Sequence, residues 1–177
     1  MANSSRAKSS PKLSPSDGAG NYGVSSIRIL VVEDFEPFRR FISVTLGKRP
    51  ELHVICEVSD GLEAIHKAEE LLPDLIVLDI GLPKLNGIEA ARQIRKLSPA
   101  SKIIFLTQEC SAGAVQEALR LGAVGYVVKT LARSKLLSAV DAVLQDQQFV
   151  GCGLAALDTS DTTVADLSNG LRRGSKL

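Results

Sequence analysis

Five short runs of apolar, largely β-branched residues recur along the middle of the chain, each separated from the next by a stretch long enough for a helix. The first is Arg28-Ile29-Leu30-Val31-Val32, and His53 to Val58, Leu75 to Asp79, Lys102 to Thr107 and Gly125 to Val128 follow. Continuous apolarity, in place of strict alternation, marks strands covered on both faces. Gly, Pro, Ser or Asp bound the runs, as strand ends require. Between them apolar residues return at helical spacing: Phe38, Phe41, Ile42, Thr45 and Leu46 form one stripe, and Leu136, Leu137, Val140, Val143 and Leu144 another. Pro37 suits the first turn of its helix.

Repeated βα units with right-handed crossovers predict an α/β fold: a doubly wound, flavodoxin-like sheet of five parallel strands in the order 2-1-3-4-5, with helices on both faces. A length of 177 residues leaves room for one ordinary domain plus tails. Residues 1–26 hold eight serines, three glycines and two prolines and hardly an apolar side chain, which predicts a disordered N-terminal tail. Residues 151–177 turn small and polar again and read as a second, mostly disordered tail, with one helical turn around Leu154 to Leu157. The domain is therefore expected over 27–150.

Charge excludes some partners. Against 20 acidic residues stand 21 basic ones, so there is no field to draw the chain to nucleic acid or an anionic membrane. No apolar run is long enough to cross a bilayer and no secretory signal opens the chain, so the expected location is cytoplasmic. Cys56, Cys110 and Cys152 are scattered, with neither zinc-site nor disulfide spacing, and read as reduced thiols.

In sheets of this kind ligands sit beyond the carboxyl ends of the strands, near the point where strand order reverses. The ends here are polar: Glu33-Asp34 after the first strand, Asp79 closing the third, Thr107 closing the fourth and Lys129 just beyond the fifth. A lone carboxylate closing the buried run Leu75-Ile76-Val77-Leu78 is costly without a cation. Three carboxylates brought together repel one another, and all-oxygen ligands select a hard ion, for which Mg²⁺ is the natural candidate. Three carboxylates against Mg²⁺ and the Lys129 ammonium balance near zero, leaving a site fit for an anionic phosphoryl group. An aspartate can attack phosphorus while cations neutralise the equatorial oxygens and a threonine hydroxyl donates to them, giving an aspartyl phosphate.

The segments Ile29-Leu30-Val31-Val32-Glu33-Asp34, Asp74 through Asp79-Ile80-Gly81-Leu82-Pro83 to Gly87, Leu106-Thr107 and Gly125-Tyr126-Val127-Val128-Lys129 together resemble the receiver domain of bacterial two-component response regulators, whose fold is CheY-like. The resemblance covers about 120 residues. It implies that Asp79 is the phosphoacceptor, that Asp34 binds Mg²⁺ directly with Glu33 as its acidic neighbour, and that Gly81 lends a backbone carbonyl to the metal. It also makes Lys129 the counter-ion, Thr107 the hydroxyl that senses the phosphoryl group and Tyr126 the aromatic whose rotamer follows it. The implied partners are a histidine kinase or phosphotransfer protein upstream. Downstream it implies a protein target or a second copy met through helix 4, strand 5 and helix 5. The chain would catalyse only its own phosphoryl transfer and dephosphorylation.

Duller roles exist for each residue: Glu33 or Asp34 could cap the first helix, Thr107 could fill a strand, Tyr126 could be a core aromatic and Lys129 a surface lysine. Phe38 reads as core and Phe35 as a docking contact. His53 and His66 lack any ligand pattern, and the closing Ser175-Lys176-Leu177, a peroxisomal address by letter, is set aside because three residues match by chance and the resemblance is to bacterial proteins. Three departures from the receiver pattern stand out. Gln108 follows Thr107 where small residues are common, so its side chain could shield the site. Thr130 replaces the proline often found after the lysine, and a cis bond there would cost about 3 kcal/mol. The pattern resembles the NarL/FixJ branch, yet only 27 residues follow Val150, too few for a helix-turn-helix unit. The expectation is a single-domain receiver that does not itself bind DNA, with a non-phosphorylatable scaffold or a fragment of a DNA-binding regulator as alternatives. Flavin binding is disfavoured because no phosphate-cradling loop follows the first strand.

Overall fold

The computed structural model describes residues 26–108 and 111–152; the expected tails lie outside the described residues except at Ser26, Gly151 and Cys152, as does the helical turn around Leu154. The strands are β1 (Ile27–Val32), β2 (Leu52–Val58), β3 (Leu75–Asp79), β4 (Lys102–Thr107), β5 (Gly125–Val128) and β6 (Phe149–Gly151). The helices are α1 (Glu36–Leu46), α2 (Gly61–Leu71), α3 (Gly87–Leu97), α4 (Ala112–Arg120) and α5 (Ala132–Leu144). All the strands pair in parallel, in the order β2-β1-β3-β4-β5-β6. The order expected for the first five holds. One strand is added: Phe149, Val150 and Gly151 pair with Gly125, Tyr126 and Val127, so ordered structure runs past the expected boundary at 150. Three residues are too short a run to show periodicity, and the segment becomes a strand because β5 offers it an open edge.

Alternation within each strand explains the unbroken apolar runs. Leu30, Val32, Ile76, Leu78, Ile103, Phe105 and Tyr126 face one side, against Ala64 and Ala68 of α2 and Ala90, Ala91 and Ile94 of α3. Ile29, Val31, Leu75, Val77, Ile104, Leu106 and Val127 face the other, against Ile42 and Leu46 of α1 and Leu136, Val140 and Val143 of α5. Side chains of both sets are buried, so neither face of the inner strands meets water.

Helix starts fix the loops at the carboxyl edge. Pro37 lies in the first turn of α1 as expected, but the N-cap is Phe35, whose side chain makes no cap; Glu33 Oε1 accepts from the Phe35 N–H at 3.3 Å. Asp60 caps α2 by accepting from the Glu63 N–H, and Asn86 caps α3 by accepting from the Glu89 N–H. No peptide bond among the described residues is cis, and where a proline is often found after the lysine the chain forms a 3-10 turn, Lys129–Leu131, leading into α5. Cys56 is a free thiol, whereas Cys152 is disulfide-bonded, which corrects the reading of three reduced cysteines. Spacing along a chain carries no trace of proximity that the fold creates.

Gly87 opens α3 where its Cα presses on the backbone of β3. A Cβ there would fall within the Asp79 carbonyl oxygen, so the glycine is set by close approach. Gly87→Ala should cost about 3 kcal/mol, the upper part of the range for overpacking, because the obstacle is backbone that cannot rotate away. A lowered urea midpoint at unchanged slope checks this.

Candidate functional site

Three strands and the turn after a fourth deliver polar groups to one rim of the sheet. Glu33 and Asp34 follow β1, Asp79 and Thr107 close β3 and β4, and Lys129 begins the 3-10 turn beyond β5. The carboxylates of Glu33, Asp34 and Asp79 each place an oxygen within 4.8 Å of the others. Glu33 is fully buried and Asp79 is 2% exposed, while Asp34 opens to solvent. An open pocket above them is lined by Glu33, Asp34, Phe35, Phe38, Asp79, Gly81, Gln108 and Lys129.

Lys129 joins the rim. Its Nζ donates to Glu33 Oε1 at 2.9 Å, lies 2.8 Å from Glu33 Oε2 and pairs with Asp79 Oδ2 at 2.9 Å. The ammonium also stands 5.3 Å above the Phe38 ring centroid, a cation–π distance. Burial pulls the Lys129 pKa down, but its two carboxylate partners outweigh that and hold it above the ordinary lysine value. Burial pushes the Glu33 pKa up, and Asp79 adds to this, with Lys129 opposing. Glu33 Oε2 is out of line for a hydrogen bond and has no such partner among the described residues. A buried carboxyl group with one oxygen in that state and an oxygen within 4.8 Å of two further carboxyl groups is a fit for a hard cation.

The turn after β3 is held closely. The Gly81 N–H donates to Asp79 Oδ1 at 3.1 Å, which fixes the carboxylate's direction and brings the Gly81 backbone to the pocket. Farther on, Lys84 adopts a positive φ of 62° and its ammonium reaches Asp60 Oδ2 at 2.7 Å. Lys84 and the Glu63 N–H hold the Asp60 carboxyl below the ordinary range. Gly61 packs against the Leu85 backbone so closely that no Cβ would fit.

The expected residues meet here as follows. Asp79, Glu33, Asp34, Gly81 and Lys129 share the pocket; Thr107 is buried at the end of β4, and Tyr126 is wholly buried on the α2–α3 side of the sheet. Gln108 lines the pocket from an exposed position, as its place after Thr107 suggested. Phe35 is 62% exposed beside the site, while Phe38, read as core, is half-buried and divides its ring between the core and Lys129. His53 and His66 are exposed and away from the site. Sequence reasoning missed Arg39, whose Nη1 donates to the Glu33 and Asp34 carbonyls at 2.6 and 3.4 Å. A basic residue one turn inside a helix that follows an acidic pair was the available signal. No described helix is long and apolar enough to cross a membrane.

A model of the response regulator receiver domain matches residues 29–141. The chain is 32% identical over 126 residues to the transcriptional regulatory protein DegU of Brevibacillus brevis, covering 71% of this chain and 53% of that protein. It is 32% identical over 115 residues to the chemotaxis protein CheY of Listeria monocytogenes, covering 65% and 96%. A crystal structure of a LuxR-family two-component response regulator from Aurantimonas superposes with a TM-score of 0.67 at 33% identity, covering 71% of this chain and 89% of that one. The chain spans about half the length of DegU.

Removing the Lys129 charge leaves Glu33 and Asp79 buried together without a cation. Lys129→Met should cost about 3 kcal/mol at neutral pH, the scale for breaking a buried pair on one side. A carboxyl whose folded pKa lies above its unfolded one gives stability that is present in acid and lost as pH rises through the folded value. Met raises the Glu33 pKa further, so the loss at pH 7 should shrink at pH 5, as urea unfolding at the two pH values will measure.

Proposed function

Because the chain belongs to the response regulator receiver domain family, we propose that it accepts a phosphoryl group on Asp79 and converts that charge into altered partner binding in two-component phosphorelay signalling. The observation that carries this is the placement of the Asp79 carboxylate, fixed by the Gly81 N–H and held 2.9 Å from the Lys129 ammonium in a pocket open to solvent. In the transfer one Asp79 oxygen forms a bond to phosphorus as the bond from phosphorus to the donor nitrogen breaks. The nitrogen leaves with a proton, and Lys129 meets the negative charge on the equatorial oxygens. Thr107, at the end of the adjoining strand, supplies a hydroxyl to the new group, and Tyr126 responds to that hydroxyl. The chain's part is positioning and charge neutralisation, since little covalent chemistry is left for the protein.

Receiver domains bind Mg²⁺ at an acidic pocket, and the residues here fit the ion. Asp34, Asp79 and the Gly81 carbonyl would hold it, with Glu33 beside them, and it would supply charge neutralisation at the transferred phosphoryl group. Both Glu33 and Asp79 are buried, and with Asp34 they put three carboxyl groups beside the one ammonium of Lys129. The donor is a phosphohistidine of a kinase or phosphotransfer protein. Phe35, exposed at the mouth of the pocket, is the side chain placed to meet it. Output passes to a protein target or a second copy through α4, β5 and α5. The chain acts as a switch, with no substrate beyond its own aspartate.

Gln108 supports a refinement, because a long amide at the pocket wall stands where a small donor or water would enter. Intact mass after incubation with Mg²⁺ and a small phosphoramidate tests the reading. Wild type should gain one phosphoryl group and Asp79→Asn none. A faster gain in Gln108→Ala identifies shielding, and a gain in that variant alone points to a dedicated kinase as donor. No adduct on either wild type or Gln108→Ala, with no Mg²⁺ binding, overturns the proposal in favour of a scaffold.

A further inference from the structure

Asp34 presents a puzzle of aim. Its carboxylate is exposed and makes no hydrogen bond or ion pair among the described residues, so its direction is inherited from the backbone of the turn between β1 and α1. That turn lacks the usual fastening, because the N-cap of α1 is Phe35, which offers no side-chain acceptor. The Glu33 N–H reaches the Val58 carbonyl and the Phe35 N–H reaches Glu33 Oε1 at 3.3 Å. The carbonyls of Glu33 and Asp34 are claimed by one side chain, the guanidinium of Arg39, at 2.6 and 3.4 Å.

Arg39 is itself braced. Its Nε stands 3.5 Å from Glu57 Oε2 on β2, and the other Glu57 oxygen accepts from Ser43 of α1 at 2.7 Å. Its side chain is only 20% exposed. A guanidinium forks planar donors in a fixed geometry, which lets one group hold two carbonyls and still meet a carboxylate. We propose that Arg39 is a positioning residue for the metal-binding turn: by gripping the Glu33 and Asp34 carbonyls it aims the Asp34 carboxylate at Asp79. The inference rests on the reading of this pocket as a Mg²⁺ site.

Two effects of removing Arg39 have opposite signs, and this makes the proposal testable. Loss of a cation near an acidic cluster strengthens attraction for Mg²⁺. Loss of the grip lets the turn wander and weakens binding. Groups that orient metal ligands commonly change affinity by roughly tenfold or more when removed. Mg²⁺ titration by calorimetry on the full chain should therefore show Arg39→Ala binding roughly tenfold more weakly than wild type. Arg39→Met, which keeps the apolar stem, should weaken binding likewise should alanine prove poorly folded. Arg39→Lys, restoring a donor, should recover part of the loss. Glu57→Gln, which loosens the brace and leaves both carbonyl contacts, should lower the metal-free Tm while moving Mg²⁺ affinity less than Arg39→Ala. Equal or tighter Mg²⁺ binding by both Arg39→Ala and Arg39→Met overturns the proposal while leaving the site intact. Absence of Mg²⁺ binding by wild type overturns the site reading itself.

Discussion

The ammonium of Lys129, held between Glu33 and Asp79, is the contact on which the rest of the rim depends. Two carboxylates buried at the ends of neighbouring strands would repel and stay poorly solvated without it. One ammonium faces three carboxyl groups here, since Asp34 adds its own. That excess is what the proposed divalent cation would offset. The apolar strands beneath, sealed on both faces, keep the field from being screened by water on the inner side.

Much of this was legible in the sequence because the sheet is doubly covered. Continuous apolar runs gave strands β3, β4 and β5 with their observed ends, and those ends named the polar residues. Asp79, Lys129 and the Glu33-Asp34 pair could be read because each directly follows or closes such a run. What stayed hidden depends on contacts that no repeating pattern announces, most of them between segments far apart in the chain. Arg39 reaching back to carbonyls, Phe38 turning its ring to Lys129, Lys84 finding Asp60 and Cys152 in a disulfide all lack periodicity. Strand β6 escaped for another reason, since three residues beside an edge need no pattern of their own.

The loop after β3 shows how the fold supports the site from below. Gly87 touches the Asp79 carbonyl, Gly61 touches Leu85, and Asp60 both caps α2 and pairs with Lys84. The exposed Lys84 pair contributes little by itself, as surface ion pairs do. Its effect comes from closing a loop already pinned by two backbone approaches. The segment that begins at Asp79 is thus fastened at Gly81, Lys84 and Gly87.

Strand β6 has a consequence for how the edges of the sheet meet other chains. It lies outside β5, on the flank of the sheet opposite β2, and takes up backbone groups that β5 would otherwise present along that edge. A run of three residues leaves only a short row of unpaired N–H and C=O groups on this flank, too few to template pairing with another strand. At the opposite end of the order, the seven-residue run Leu52–Val58 carries the longer edge among the described residues.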